Sequence, residues 1–437
     1  MRNLSGRGKA GLLIFVIINT SFIFLLLSPY IPNLIGEYRD DQLLAGCDAR
    51  IQQYRTGPIQ IHLENASDGT PIQGWNVSFT HVKHEFFFGC NAYAFNSFAN
   101  SSDDDTYKDF FKNLFNLAVI GFYWPSYENP QGVFHENKIN ATITWCIQNN
   151  ITTKGHPLAW TRSIPNWLPL DNNTLVAELL ENRITTIVSK YKGLIDHWDV
   201  VNEPAHTATF AGWSRADYVR NCLLWANASN PTADHLTVND YGILGHDFGY
   251  GPYHNLLADL NALNAPFNSI GFQLHEPRTD WVPATEIWRT MDGFSDLGKP
   301  IHITEYSPVS AAVPITNSWK KGMWSEENQA EYAQRVYKLL FSHPTCGGII
   351  WWDLADSFSW IEEGGLLRAD LTPKPVYTGL DQLINNEWRT LGSQLTDPSG
   401  NVQFQGFHGI YNVTVENGDT FLISAEAGAT NQFNWTI

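Results

Sequence analysis

Two glutamates in this sequence close runs of strand-forming residues, and carboxylates in that position call for a reason. In WDVVNEP the β-branched Val200 and Val201 lead to Asn202, Glu203 and Pro204, and in IHITEY the strand pattern closes on Glu305 and Tyr306. Proline stops the ladder after Glu203, so the carboxylate stands where a strand opens into a loop. Two such groups brought face to face can divide their work. One holds a proton for a departing oxygen while the other, ionised, meets an electron-poor carbon. The sequence offers no G-x-S-x-G elbow, H-E-x-x-H helix, phosphate loop or C-x-x-C pair, so serine nucleophiles, zinc hydrolysis and dithiol chemistry have no candidate residues. Neither a metal nor a cofactor is expected.

The elements that must position the pair follow from hydrophobic periodicity. Strand patterns occur at residues 86–91, 117–124, 153–160, 195–203, 235–241, 270–275, 301–306 and 347–353. Amphipathic helical stretches separate them. Over 174–192, Leu175, Leu179, Ile184, Ile187 and Val188 form one stripe, and Ser325 caps a helix with Tyr332, Val336, Leu339 and Leu340 on one face. Eight alternating units predict an α/β fold, a (β/α)8 TIM barrel, in which chemistry sits at the carboxyl ends of the strands. An open doubly wound sheet is the competitor, but no G-x-G-x-x-G follows the first strand.

That rule gives weight to the strand-end residues. Besides Asn202, Glu203 and Glu305 these are His156 and Trp160, Asn239, Gln273 and His275, and Trp352. Taken singly, each has a plainer reading: a solvated loop carboxylate, a satisfied core histidine, a packing tryptophan. Gathered at one barrel mouth, they match what glycoside hydrolysis needs, an acid and a carboxylate flanked by amide, imidazole and indole groups.

The same residues carry a resemblance. FFFGCN, GHPLAW, WDVVNE, VNDYG, IGFQLH, ITEYS and WWDLADSFSW, in this order between Phe86 and Tyr377, resemble glycoside hydrolase family 10, the retaining β-1,4-xylanases. The resemblance implies that Glu203 is the acid/base, Glu305 the nucleophile and Asn202 the amide holding the sugar 2-hydroxyl. His156, Gln273 and His275 then match polar residues around the sugar at the cleavage point, and Trp160, Trp352 and Trp360 its aromatic walls. A retaining reaction sets the two carboxyls about 5 Å apart, so that ionised Glu305 raises the proton affinity of Glu203.

Several positions depart from that family pattern. Where the family carries Glu, Asn and Lys for sugars on the non-reducing side, this chain has Val119, Ile120 and Tyr123, which makes Tyr123 a substrate-facing aromatic. Thr161 and Ser163 stand for the family's His and Gln. Ser307 stands for the Asp that orients the histidine matching His275, which puts the support of the nucleophile in question. The reaction type is thus expected to hold while substrate preference shifts. The alternatives are hydrolysis of another β-glycan, or a surface glycan-binding protein with little turnover. Retention of both glutamates favours the enzyme.

Composition limits the partners. A net charge of −17 repels nucleic acid, and 17 tryptophans suit apolar sugar faces as well as core filling. Arg2, Arg7 and Lys9 precede the uncharged run GLLIFVIINTSFIFLLLSP, which is read as an uncleaved signal anchor in preference to a cleaved signal; the rest of the chain then faces the outside. N-x-S/T sequons lie at Asn65, Asn76, Asn100, Asn140, Asn150, Asn172, Asn227, Asn412 and Asn434. Five cysteines allow at most two disulfides. The expected organisation is a cytoplasmic stub, anchor and linker (1–45), an N-terminal β segment (46–85), the barrel (86–387) and a C-terminal β segment (388–437). The two β segments, each too short for its own core, should pair as one small accessory β domain. His81 and His84, three apart on a strand, should lie on opposite faces and form no metal site.

Overall fold

The computed structural model describes residues 31–245 and 247–437. Fifteen strands follow in chain order: β1 (Thr56–Glu64), β2 (Asn76–His84), β3 (Phe87–Asn91), β4 (Leu117–Gly121), β5 (Thr152–His156), β6 (His197–Asn202), β7 (His235–Asp240), β8 (Ser269–Leu274), β9 (Ile301–Tyr306), β10 (Cys346–Trp351), β11 (Leu391–Leu395), β12 (Asn401–Phe407), β13 (Gly409–Val415), β14 (Thr420–Ala425) and β15 (Asn431–Thr436). Strands β3 to β10 close in chain order into a parallel barrel, with β10 pairing both β9 and β3. A helix follows each barrel strand, the first Ser101–Leu114 and the last Pro375–Asp381. The architecture is the expected (β/α)8 barrel.

Local chemistry explains the elements. Strands β6, β8 and β9 are buried along their whole length, which parallel strands covered by helices require. In β5, Gly155 lies flat against the Trp198 ring; a Cβ there would come within 2.1 Å of it, so no other residue fits. Helix Asn173–Lys190 starts on Asn172, whose side chain accepts from the Leu175 amide at 3.1 Å, and Ser325 does the same for Asn328 at 3.2 Å. The first of these helices is turned slightly from the expected stripe. It buries Val176 and Leu180 and leaves Leu175 exposed, because the core lies one residue around from the apolar pattern.

The accessory β domain forms as expected from both ends of the chain. One sheet has the order β12-β1-β15 and the other β11-β2-β13-β14, so each amino-terminal strand lies between two strands of the carboxyl segment. The sheets enclose a separate core that includes Ile59, Ile61, Phe79, Val413 and Ile423. Two expectations are corrected at this end. Residues 31–45, assigned to the linker, form a helix, and the segment expected to open as β structure at 46 begins with helix Cys47–Arg55. Asp40 is buried and caps the barrel helix Ala284–Phe294, accepting from the amides of Ala284 (3.0 Å) and Thr285 (2.9 Å) and from the Trp319 indole (2.7 Å). Arg55, half-buried, donates to the carbonyls of Phe341, His343 and Cys346 at 2.6–2.7 Å and pins the β domain to the barrel floor.

His81 and His84 are a further correction. A bulge opposite Ile410 and Tyr411 leaves Val82 unpaired and exposed, so both imidazoles turn inward, with ring centroids 4.5 Å apart. The five cysteines are buried free thiols, so no disulfide forms. All the sequon asparagines are exposed except Asn227, which is half-buried. The apolar run read as an anchor lies outside the described residues. Among those described, no helix is long and apolar enough to cross a membrane.

Candidate active site

The carboxyl ends of the barrel strands open on a cleft of about 500 Å³. Glu203, one residue beyond β6, is buried with a left-handed backbone, φ 56°. That conformation is uncommon for a side chain with a Cβ and persists where surroundings enforce it. Here the Glu203 amide donates to the Asn239 carbonyl at 2.7 Å, and its carbonyl accepts from the Thr207 hydroxyl at 2.8 Å. The strain turns the carboxylate into the cleft. Glu305 reaches the cleft from within β9 and is equally buried.

One continuous amide network joins the two. Asn239 Nδ2 donates to Glu305 Oε1 at 2.9 Å and to Asn202 Oδ1 at 2.8 Å; Gln273 Nε2 donates to Asn202 Oδ1 and to Glu203 Oε1, both at 3.3 Å. Thr304 fixes the Asn239 amide by donating to its oxygen at 2.6 Å. With its own oxygen held by two donors, Asn202 has its NH2 group left to offer a ligand. Glu305 Oε2 meets His275 Nε2 at 3.0 Å, and His275 Nδ1 meets the Ser307 hydroxyl at 3.0 Å. Ser307 therefore does hold the histidine, and the support of Glu305 is present in altered form.

The walls are aromatic. Trp352 is buried with its ring 5.3 Å from that of His156, and the exposed Trp360 stands edge-on to His275 at 5.0 Å. Trp160 and Tyr123 approach within 6.0 Å, and Tyr123 also faces His156 at 5.5 Å. His156 Nδ1 is fixed by Asp199 Oδ2 at 2.8 Å, and Lys154 pairs with the other oxygen of Asp199 at 2.8 Å. Burial raises the proton affinity of Asp199, but Lys154 and His156 more than offset it and hold the carboxyl below its usual range. All the residues expected at the site line this cleft except Asn239, which lies beneath it and ties its parts together.

Glu203 titrates above the ordinary glutamate range. Burial is the main cause and the charge of Glu305 adds to it, while the Trp160 indole, the Gln273 amide and Arg162 pull the other way. Oxygen Oε2 of Glu203 and the Trp160 Nε1 both lack a hydrogen-bond partner, so the indole acts as a nearby dipole. A raised acid beside an anchored carboxylate is the pairing that divides proton donor from nucleophile.

Sequence reasoning missed several lining residues: Asn91, Tyr93, Arg162, Asp353 and Phe358. Asn91 ends β3 and donates to the Trp352 carbonyl and, at 2.8 Å, to Asp353 Oδ1, so the strand-end rule would have found it. Asp353 in turn accepts from the Trp360 amide at 3.2 Å. No local pattern marks Tyr93 or Arg162. The departures from the family pattern have physical consequences, since Val119 is buried beneath Trp352 with Leu117 and Ile350, and Ile120 is buried too. Tyr93 and Tyr123, with ring centroids 5.9 Å apart, line the cleft beside them.

Residues 80–383 match the family model described as Glycosyl hydrolase family 10. The chain belongs to glycosyl hydrolase family 10. It is therefore a glycoside hydrolase. Among family 10 relatives, Endo-1,4-beta-xylanase B of Thermotoga neapolitana is 25% identical over 309 residues, covering 67% of this chain and 87% of that protein. Endo-1,4-beta-xylanase 2 of Arabidopsis thaliana is 28% identical over 364 residues, 81% of this chain but 32% of that longer protein. Xylanase 10B from Thermotoga petrophila RKU-1, solved in complex with xylobiose, superposes with a TM-score of 0.60 at 23% identity, covering 69% of this chain and 95% of that one. At that identity the likeness bears on the fold.

Proposed function

We propose that this protein is a retaining endo-β-1,4-xylanase, with Glu203 as acid/base and Glu305 as nucleophile. The observation that carries the reading is the amide network linking two buried glutamates of unlike surroundings, one raised by burial and one held by Asn239 and His275. A Glu305 oxygen attacks the anomeric carbon as the glycosidic C–O bond breaks, and Glu203 gives its proton to the departing oxygen. The Asn202 NH2 donates to the 2-hydroxyl, a bond that tightens as positive charge develops at the ring. Once the glycosyl ester has formed, the charge of Glu305 is gone and Glu203 becomes the stronger acid. It then takes a proton from water, whose oxygen attacks the same carbon and releases Glu305 as carboxylate.

His156, Trp160, Tyr123, Gln273, His275, Trp352 and Trp360 hold the sugars in this reading. The relatives' names support xylan as substrate, and the aromatic non-reducing end supports looser demands on the sugar there than Glu, Asn and Lys would make. The test is reducing-sugar release from arabinoxylan, β-glucan and carboxymethylcellulose by the full chain and its Glu305→Gln variant. Release from xylan, lost in the variant, is expected. Release from another glycan alone moves the substrate, and retained glycan affinity without release on any polymer returns the binding-protein reading.

The same proposal places the enzyme on the outer face of a membrane, held by the apolar run near the amino terminus, whose flanking Arg2, Arg7 and Lys9 support that orientation. Protease treatment of intact cells should remove activity that sediments with membranes. Activity free in the medium would instead mean that the segment is cleaved.

A further inference from the structure

Arg162 is a cation with no role in the chemistry described. It stands on the loop after β5, its side chain 54% exposed, with Nε 3.5 Å from Glu203 Oε2. Its Nη2 donates to the Tyr241 hydroxyl at 3.1 Å, and the guanidinium lies 5.7 Å from that ring. Tyr241 is itself anchored: its ring lies 4.4 Å from that of His206, and His206 Nδ1 is bound to buried Asp240 at 2.6 Å. The bridge from the β5 loop to the β7 loop thus crosses the end of β6, over Glu203. Arg162 is built into the cleft, not loose on the surface.

Its position conflicts with the acid step. When Glu203 acts as the acid it must carry the proton it gives to the leaving oxygen, so the ion pair with Arg162 is absent in that step. A guanidinium at that distance favours the ionised form, which suits the base half of the cycle and works against the acid half. Nothing about a neutral carboxylic acid needs a guanidinium to hold it. The conflict disappears when the substrate brings a negative charge of its own, because a substrate carboxylate occupying the guanidinium's donors neutralises it and leaves Glu203 free to keep its proton. Arginine's planar fork is the side chain suited to a carboxylate, and this one presents exposed donors in a cleft whose other charged side chains are the carboxyls of Glu203, Glu305 and Asp353, which leaves Arg162 as the group there able to draw in an anion.

We propose that Arg162, braced by Tyr241, forms a carboxylate-reading subsite beside Glu203, so that the preferred substrate is a β-glycan bearing uronic acid side groups. This rests on Glu203 being the acid/base. It also predicts a coupling: the acidic substrate, by silencing Arg162, extends the activity of its own complex to higher pH.

The test compares glucuronoxylan with the same polymer after chemical reduction of its carboxyl groups, using the full-length protein and its R162Q and R162K variants. The native chain should favour the acidic polymer in kcat/KM by about tenfold, the order of a charge-assisted pair. R162Q should bring that ratio close to one, whatever it does to either rate alone, and R162K should restore part of it. The alkaline limb of kcat, which reports groups in the bound complex, should lie higher on the acidic polymer for the native chain and coincide on both polymers for R162Q. A ratio unchanged by R162Q, or a limb that R162Q shifts equally on both polymers, would overturn the subsite and leave Arg162 as a tuner of Glu203. If neither polymer is hydrolysed, the xylanase reading falls separately. The subsite is then judged by affinity for the two polymers: an acidic preference lost in R162Q sustains it, and equal binding rejects it.

Discussion

Both ends of the barrel are rich in histidine, yet the two sets live in opposite electrostatic worlds. At the carboxyl rim His156 meets Asp199, His206 meets Asp240, and His275 lies between Glu305 and Ser307. At the amino-terminal floor His197, His235 and His302 gather around Phe87 with ring centroids 5.1–6.0 Å from it. Burial drives all three floor imidazoles below their usual range, His235 down to about 4, with the Lys154 charge adding to the effect in each. Lys154 spends that same charge upward on Asp199, which holds His156. One set is tied to carboxylates and a hydroxyl, and the other gathers, largely withdrawn from water, around an aromatic ring. The lesson is that a buried histidine's role follows from what it touches, and rim and floor should answer differently to the same insult.

The largest expected effect is at the rim. Glu305→Gln should lower kcat by about a thousandfold or more, since it removes the proposed nucleophile, while leaving the melting temperature near that of the native chain. A matching loss of stability would break the distinction, and thermal unfolding beside the rate assay reads both. At the floor, removing residues 388–437 strips β1 and β2 of their partners β11, β12, β13 and β15, and exposes strand edges. The shortened chain should aggregate on light scattering; a soluble monomer melting like the native chain would show that the barrel needs no brace.

Acid should act through the floor next. The folded state holds His235 near 4 against 6.5 for a free histidine, so the unfolded chain takes up the proton first. Stability is then complete above about pH 6.5 and falls as pH drops towards 4, by at most about 3 kcal/mol for this group. His235→Phe should flatten the dependence of melting temperature on pH over that window without changing kcat at neutral pH. An unchanged slope would remove His235 from the account. The smallest effect belongs to Ser307. If a neutral His275 gives its Nε2 proton to the Glu305 carboxylate, its Nδ1 accepts from the Ser307 hydroxyl, so Ser307 favours that tautomer. Ser307→Ala should reduce kcat about five- to tenfold with little change in KM, and Ser307→Thr should recover most of it. Equal activity in the alanine variant would mean that the tautomer is set elsewhere.

Much of the rim was legible because a parallel barrel gives strand ends a fixed meaning. A run such as WDVVNE states both its burial and where its polar residues emerge. Asn91 obeys the same rule, since it ends β3 and emerges at the rim. The floor histidines were harder, since His235 and His302 sit at strand starts, where sequence alone assigns packing and cannot show that three imidazoles share one aromatic neighbour. His81 and His84 were placed on opposite faces because strand alternation is local, whereas the bulge that reverses it is set by the partner strand β13.

The sequence by itself determined the alternation of strands and helices, the paired glutamates and the amides beside them, because periodicity and strand termini are properties of short segments. Only the tertiary structure decided that Asp40 caps a helix beginning at Ala284, that Ser307 replaces a carboxylate behind His275, and that Arg162 reaches over Glu203 to Tyr241. Each of these joins residues on different elements. Their meeting depends on register, bulges and helix rotation across the whole barrel, which no local pattern encodes.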